Sequence, residues 1–356
     1  TGTFFSVPLI LTGQYWDASQ SIEAYTKNAY LSWSLPFVLK KMGYHAGLYP
    51  LQTPDILFSK KVASNFVDKR TVSKAEWAFL LDLSLFRQLP QFLKKRIYND
   101  QAWFLSRYFD DPYISRPGKK RKLRVHKKTY RDLNQDREHI EAFEDDLDLT
   151  DRPVFKYWHW QGLHRPLARL ENCEYARLEY NRSNYLGQAK CALRLVGRFL
   201  ARLKQAGAYD NSLVFVIGDH GVSQEKMGIY HETNPGQWQV ENDGSLLMKI
   251  RQGAIPLLLV KRIAAAQPEM AVSDAPAVIA DIPRTVFAEI GVRNEAPGYS
   301  LFELRAGQQR PRPFYLVSGR VVREFRLRKY EVNGFSWLSA SWQKQFNGED
   351  IVPSDE

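Results

Sequence analysis

The chain has 356 residues, of which 44% are hydrophobic and 13% aromatic, a composition that supports a large globular core and excludes a disordered chain. No apolar stretch reaches the roughly 18–20 residues that span a bilayer, and no signal peptide opens the sequence. The formal net charge of +11 favours polyanionic surroundings such as anionic lipid head groups, phosphorylated glycans or nucleic acid.

The first predicted element is a short helix within residues 1–13. Ser6 suits its N-cap, Pro8 its first turn and Gly13 its exit. A helix N-terminus presents free N–H groups and a partial positive charge, so it favours anions. The hydroxyl groups of Thr1 and Thr3 lie near that end. Because the sequence starts at Thr1 without a methionine, we expect it to be a piece of a longer protein.

Residues 33–44 form a predicted helix and residues 45–49 a short strand, which gives one α–β step. The pattern from 59 to 111 is helical and rich in aromatic residues, and we interpret its apolar stripe as core packing. Residues 112–152 carry a basic run at 119–128 followed by an acidic run. Such segregation of charge predicts a surface excursion. The members of the apolar stripe are Trp77, Phe79, Leu83, Phe86, Leu89 and Phe92.

A strand at 154–160 precedes His164, which lies in a His-Arg-Pro sequence. A histidine just past a strand end is at the ligand-binding edge of an α/β sheet. The amphipathic helix at 185–206 then leads into the apolar strand Leu213–Ile217, so this part reads as a β-α-β unit with a parallel sheet.

The strand stops at Gly218-Asp219-His220-Gly221. Neighbouring side chains in a strand point to opposite faces, so Asp219 and His220 can converge only if the strand ends there, which the glycines permit. A carboxylate and an imidazole at a buried strand end are costly unless something pairs with them. Together they suggest a divalent metal. The alternative is a turn in which Asp219 caps a helix and His220 lies on the surface.

Beyond Gly221, a long loop to about residue 254 carries His231, and a strand at 255–260 and a helix within 274–291 follow. Residues from Pro313 onward alternate like antiparallel strands. We therefore predict an α/β fold with a mostly parallel central sheet flanked by helices, and a smaller C-terminal antiparallel sheet. The expected domains are 1–300, with the charged excursion, and 301–356.

The two cysteines, Cys173 and Cys191, are too few for a disulfide scaffold or a structural zinc site. They allow either a single bridge or two ordinary semi-buried thiols, and we favour the thiols.

Four pieces of the sequence follow one another in an order that indicates a family. The first is Thr3 before Ser-Val-Pro-x-x-Leu-Thr-Gly, and the second is a strand before His-x-Pro. The third is a long helix that leads into Gly-Asp-His-Gly, and the fourth is a strand led by Ile-Pro-Leu. In this order the chain resembles the alkaline phosphatase superfamily, in its sulfatase-like branch of lipoteichoic acid synthases and phosphoethanolamine transferases. The resemblance covers residues 1–13, 33–50, 154–166 and 183–291, and it is most specific from Phe199 to Gly221.

The resemblance implies that Asp219 and His220 bind a divalent metal. Mixed oxygen and nitrogen ligands fit zinc or manganese better than calcium. It also implies that Thr3 is the nucleophile, with Thr1 as the second choice. In the family, a further metal carboxylate lies upstream of the nucleophile, before the first residue of this sequence, so the metal site is expected to be incomplete here.

Two histidines receive roles from the same resemblance: His164 lies near the substrate's phosphate, and His231 matches a further histidine that follows Asp-His-Gly. Either could donate to phosphate oxygens or protonate the leaving alcohol. Sulfatases proper convert a Cys or Ser in a Cys/Ser-x-Pro-x-Arg setting to formylglycine. Residues Ser6 to Ile10 lack that arginine, so this route is disfavoured.

The sequence thus predicts a metal-dependent phosphotransferase or phosphodiesterase that acts on an anionic envelope lipid head group or glycan. We expect it to be extracytoplasmic and anchored to the membrane through an upstream segment. The alternative is a catalytically degenerate sulfatase-like domain that binds anionic lipid or polysaccharide. Nucleic acid is not expected as a partner, because aromatic residues do not interleave with the basic run.

Overall fold

The computed structural model describes residues 2–49, 59–65, 74–98, 103–105, 152–222, 229–264, 270–318, 324–344 and 350–353, apart from 17, 18, 60, 161, 166, 175, 235, 236, 244 and 294. Thr1 and the predicted charged excursion, except Arg152, lie outside the described residues. The basic run at 119–128 therefore stays a prediction from sequence.

The described chain contains both helices and strands. The helices are α1 (Thr3–Thr12), α2 (Ile22–Asn28), α3 (Leu35–Lys41), α4 (Lys74–Gln88), α5 (Gln91–Tyr98), α6 (Arg182–Gln205), α7 (Leu246–Gly253) and α8 (Ile282–Glu289). The strands are β1 (His45–Tyr49), β2 (Val154–Trp158), β3 (Val214–Ile217), β4 (Ile229–Asn234), β5 (Gln237–Glu241), β6 (Leu258–Lys261), β7 (Arg312–Ser318), β8 (Glu324–Val332), β9 (Trp342–Lys344) and β10 (Asp350–Pro353). None of the described helices is long and apolar enough to cross a bilayer.

Helix α1 begins at Thr3, so the prediction of Ser6 as its N-cap is wrong. The carbonyl of Gly2 accepts the first helical hydrogen bonds, from the N–H groups of Phe5 and Ser6 at 2.9 and 3.0 Å. The extra turn is stabilised because Phe5 stacks on Trp16 with ring centroids 5.3 Å apart. The predicted exit at Gly13 is confirmed, since this residue has φ +71° and its N–H donates to Leu9 O.

Helix α1 lies between two parts of the core and is buried on most of its surface. Val7 and Leu11 pack in one cluster with Tyr30 and Leu48, whereas Ile10 packs in a second cluster. The second cluster also contains side chains from the strands that lead to the Asp-His pair, among them Phe215, Ile217 and Leu258. These contacts fix the position of the helix relative to the end of β3.

The α/β class is confirmed, with one parallel pair and a separate C-terminal antiparallel sheet. Strand β1 pairs with β2 in parallel, from His45 opposite Val154 to Tyr49 opposite Trp158. Strands β10, β8 and β7 form the antiparallel sheet in that order, with β9 beside β8. The division into domains at residue 301 stays a prediction.

Strand β3 differs from the prediction in its pairing. Its partner among the described residues is β6, and the two run antiparallel, with Ile217 opposite Leu258. The physical reason lies in the connection, because the predicted loop at 221–254 contains the β4–β5 hairpin and α7, which return the chain in the opposite direction. Ser245 caps α7 by accepting a hydrogen bond from Met248 N.

The aromatic stripe is only partly core, as Phe92 is 77% exposed. Helix α4 ends at Gln88, and Pro90 separates it from α5, so the helical register predicted across this region is broken. Phe86 does pack, against Tyr98 and Trp103. The side chains of Trp77 and Phe79 lie outside the described part.

Cys173 and Cys191 form a disulfide, so the expectation of two free thiols is wrong. The segment after β2 brings Cys173 to α6, where the two Cα atoms are 5.0 Å apart, a normal separation for a bridge. One turn earlier on α6, the buried Gln188 holds the same segment. Its Oε1 accepts from the N–H groups of Ala168 and Arg169, and its Nε2 donates to Gly162 O.

Candidate functional site

The central contact of the site is between Thr3 and Asp219. The hydroxyl of Thr3 donates to Asp219 Oδ2 at 2.6 Å, which joins two residues 216 positions apart in sequence. Thr3 is the first residue of α1 and Asp219 follows β3 by two residues, so both lie at the ends of buried elements. The predicted nucleophile and the predicted metal carboxylate therefore meet.

The position of Thr3 at the start of α1 gives its hydroxyl an electropositive setting. The free N–H groups of a first helical turn carry about half a positive charge. That partial charge stabilises an alkoxide or a bound anion close to Thr3 Oγ1. The side chain is part-buried, so water screens this effect less than it would at an exposed helix end.

Two glycines let β3 end beside the rest of the core. The N–H of Gly218 donates to Leu257 O and that of Gly221 to Gly253 O, both at 2.9 Å. A Cβ on Gly221 would overlap the carbonyl groups of Gln252 and Ile255. Only glycine therefore fits at residue 221, and the predicted break in the strand is confirmed.

The ring of His220 turns back toward the carboxylate of its neighbour. Its Nδ1 lies 2.8 Å from Gly221 O and donates a hydrogen bond to it. The other ring nitrogen, Nε2, lies 3.5 Å from Asp219 Oδ2. This distance confirms the predicted convergence of the two side chains.

A further histidine, His159, was not singled out by the sequence analysis. It follows β2 directly, its Nδ1 is buried, and that atom has no hydrogen-bond partner among the described residues. Burial lowers the pKa of His159, Asp219 opposes this shift and His220 adds to it, so the ring lies within electrostatic reach of both. The feature of the sequence that could have identified His159 is its place at the carboxyl end of a strand.

Tyr157 lies on β2 near the same carboxylate. Burial, reinforced by the charge of Asp219, raises the pKa of its phenol above the usual range, so the hydroxyl keeps its proton. The ring of Tyr157 also contacts that of His159, with centroids 6.4 Å apart.

The other two predicted histidines are not brought to the Thr3–Asp219 pair by any described contact. His164 is exposed, and its Nδ1 lies 2.6 Å from Arg165 O. His231 lies on β4 opposite Gln239, and its side chain is outside the described part of the structure. The roles assigned to His164 and His231 stay predictions.

The donor atoms at this edge fit part of a metal site. Thr3 Oγ1 and His220 Nε2 lie 2.6 and 3.5 Å from Asp219 Oδ2, so two oxygens and one nitrogen are close together. Within the described ranges, no group of three or more His, Cys, Asp or Glu side chains could hold an ion. The assignment of Asp219 and His220 as ligands of zinc or manganese stays a prediction.

Comparison with protein-family models matches residues 1–244 to the family described as Sulfatase. The chain belongs to the sulfatase family. This membership confirms the predicted relation to the sulfatase-like branch of the alkaline phosphatase superfamily, and the chain is a sulfatase-like enzyme. A search of the curated proteins finds no match to the chain.

Three solved structures that are similar to the chain are distant from it in sequence. An alkaline phosphatase superfamily protein from Vibrio parahaemolyticus is 16% identical with a TM-score of 0.45, over 99% of this chain and 70% of that one. The lipoteichoic acid synthase LtaP from Listeria monocytogenes is 12% identical with a TM-score of 0.46, over 94% and 74%. The phosphonate monoester hydrolase SpPMH from Silicibacter pomeroyi is 16% identical with a TM-score of 0.47, over 94% and 78%.

Proposed function

We propose that this sulfatase-like enzyme cleaves or transfers a phosphate ester through Thr3 as the nucleophile. The observation that carries the proposal is the 2.6 Å hydrogen bond from the Thr3 hydroxyl to Asp219 Oδ2. A threonine hydroxyl is a weak nucleophile, so it needs a group that takes its proton or lowers its pKa. The carboxylate can take the proton, and the partial positive charge of the helix N-terminus stabilises the oxygen that is left.

A divalent metal held by Asp219 and His220 would supply charge neutralisation of the transferring group and would lower the pKa of the threonine hydroxyl. The side chains of Thr3 and Asp219 carry out the remaining steps. Thr3 Oγ1 loses its proton toward Asp219 and forms a bond to phosphorus, while the bond from phosphorus to the substrate's alcohol oxygen breaks. The phosphate is then carried on Thr3 until water or an acceptor alcohol attacks the phosphorus and releases the side chain.

The leaving oxygen develops negative charge, and a hydrogen-bond donor at this edge would stabilise it until it takes a proton from water. The Nδ1 of His159 is buried, its ring is within electrostatic reach of Asp219, and burial favours the neutral ring, whose N–H group can hydrogen-bond that oxygen. His164 and His231 remain proposed for the same task on the basis of the family resemblance. Turnover by variants with a single substitution at His159, His164 or His231 distinguishes among the three histidines.

The proposed substrate is an anionic lipid head group or glycan of the cell envelope. The formal net charge of +11 supports a polyanionic substrate, since it attracts such molecules over several ångströms. The Cys173–Cys191 disulfide supports a location outside the cytoplasm, because such bridges persist in oxidising compartments. Whether the transferred group is phosphoryl or sulfuryl is decided by assay.

The test compares turnover of a p-nitrophenyl phosphodiester, p-nitrophenyl phosphate and p-nitrophenyl sulfate by the full-length protein with zinc or manganese added. We expect phosphate-ester turnover that needs the metal, and a phosphate on the peptide that contains Thr3 in a rapidly quenched sample. Turnover of the sulfate alone would overturn the phosphoryl assignment. A Thr3→Ala variant with full activity would overturn the nucleophile.

A further inference from the structure

A cavity of about 360 Å³ lies at the opposite end of α1 from Thr3. Its walls come from the residues after α1, from the segment before α8, and from the start of β7. Ten helical residues separate the two ends, which corresponds to about 15 Å at 1.5 Å per residue. A volume of this size is at the lower end for small-molecule sites, so it suits a compact ligand.

One of the two arginines in the cavity is fully paired. The guanidinium of Arg310 binds Asp281 through two hydrogen bonds of 2.7 Å, and its Nη1 also donates to Pro276 O at 3.0 Å. Asp281 is completely buried, and it also accepts the N–H groups of Val278 and Tyr299. The charges of Arg310 and Asp281 therefore cancel. The carboxylate of Asp281 is fully satisfied by the hydrogen bonds that it accepts.

The second arginine, Arg312, has no such partner. Its residue is 8% exposed, one terminal nitrogen donates to the carbonyl of Gly334, and its buried Nε has no hydrogen-bond partner in the described structure. Asp281 is the sole carboxylate among the residues that line the cavity, all of which are described. Two arginines against one aspartate leave a buried positive charge, which is expensive without a counter-charge.

The surrounding groups are suited to an anion. Burial, reinforced by Asp281, raises the pKa of Tyr15 above its usual range, so its phenol keeps a proton that it can donate. Burial also lowers the pKa of Arg312, with Arg310 adding to the effect, so the unpaired charge is destabilised in the absence of a ligand. The ring of Tyr299 lies 4.6 Å from the Arg310 guanidinium and closes another wall.

We propose that this cavity is a second binding site, specific for a small oxyanion such as a phosphate or sulfate group, with Arg312 as its principal ligand. The anion supplies to the Arg312 guanidinium the counter-charge that Asp281 gives to Arg310. The site is separate from the Thr3–Asp219 pair, and its ligand does not need to react.

Calorimetric titration with inorganic phosphate, with sulfate and with chloride at equal ionic strength tests the proposal. We expect saturable binding of phosphate or sulfate, no binding of chloride, and at least a tenfold weaker affinity in Arg312→Met. The matched control is Arg202→Met on the exposed face of α6, which removes the same charge and should bind as the original protein does. Equal affinity in the Arg312→Met variant and the unaltered protein would overturn the proposal.

Two further measurements separate this site from the reactive one and from a folding defect. Asp219→Asn should keep the Arg312-dependent binding, and loss of all binding in that variant would assign the anion to the Thr3 end instead. Crystals of the unaltered protein soaked in tungstate should show an anomalous peak in the cavity beside the Arg312 guanidinium. Tungstate found solely beside Thr3 would overturn the proposal without relying on a substituted protein.

Discussion

The hydroxyl of Thr3 donates to Asp219 Oδ2 at 2.6 Å, across the two ends of α1 and β3 that the core holds together. This contact gives the Thr3 hydroxyl an acceptor for its proton. An apolar side chain at residue 3 would remove the hydrogen bond that Asp219 accepts. Neither residue is fully buried, so each can be replaced by itself and the variant tested for activity.

Replacement of Thr3 by alanine should abolish turnover, with a loss of about 10³-fold or more in kcat, because loss of a nucleophile removes the covalent step. Thr3→Ser keeps the hydroxyl and should retain measurable activity. The measurement is steady-state turnover of the best p-nitrophenyl ester. Equal inactivity of the alanine and serine variants would point to a packing role for the threonine methyl group instead.

Replacement of Asp219 by asparagine should weaken zinc or manganese binding by about 100-fold or more, because the remaining ligands are a neutral imidazole and a hydroxyl. Metal content after dialysis, together with titration calorimetry, measures this. The matched control is Asp210→Asn, an exposed aspartate in the turn before β3, which should leave metal binding and turnover unchanged. Unaltered metal content in Asp219→Asn would contradict the ligand assignment.

His159 and His164 offer a direct comparison between structure and sequence pattern. We expect His159→Ala to lower kcat by about 100-fold, within the range for loss of one hydrogen-bond donor to the leaving oxygen, because its Nδ1 is buried and its ring is within electrostatic reach of Asp219. His164→Ala should have a smaller effect, since His164 is exposed and makes no described contact with Thr3. The reverse order would return the role to His164.

The close approach at Gly221 predicts a structural penalty. Gly221→Ala should destabilise the protein by at least about 3 kcal/mol, because the new methyl group overlaps two backbone carbonyls that cannot move as a side chain could. Gly197→Ala on α6 is the control, as nothing lies within 4 Å of a Cβ there, and it should stabilise the helix by about 0.5–1 kcal/mol. Denaturant unfolding followed by circular dichroism measures both.

The disulfide predicts a dependence on reducing agent. The double variant Cys173→Ser, Cys191→Ser should lose about 3 kcal/mol of stability, because the bridge closes a loop across a sequence separation of 18. Addition of dithiothreitol to the unaltered protein should lower its Tm, and the double variant should show no further change with the reagent. Identical melting curves with and without the bridge would contradict the prediction.

Local patterns were sufficient to predict much of the reactive site. Glycines on both sides of Asp219 and His220 predicted that the strand ends there, and the convergence of the two side chains followed from backbone geometry. The start of α1 was not predicted by capping preferences, since the helix begins at Thr3 without a side-chain cap and Phe5 in its first turn stacks on Trp16. Tertiary packing of this kind overrides a favourable N-cap residue such as Ser6.

Other features depend on contacts between distant segments, which a single sequence does not reveal. The antiparallel pairing of β3 with β6 depends on the hairpin and helix between them, and an apolar strand looks the same in either direction. The pairing of Cys173 with Cys191 depends on how the segment after β2 lies against α6. The sequence does not reveal that the charge of Arg312 is unpaired, because this depends on the pairing of Arg310 with Asp281.

Gln188 gives the segment that carries His164 a second anchor, independent of the cysteines. Its amide binds three backbone groups between Gly162 and Arg169, whereas the disulfide holds the segment further along at Cys173. Reduction of the bridge would therefore release the far end of the segment while the near end, next to His164, stays attached to α6. The redundancy makes the geometry around His164 tolerant of changes in redox state, even where overall stability is not.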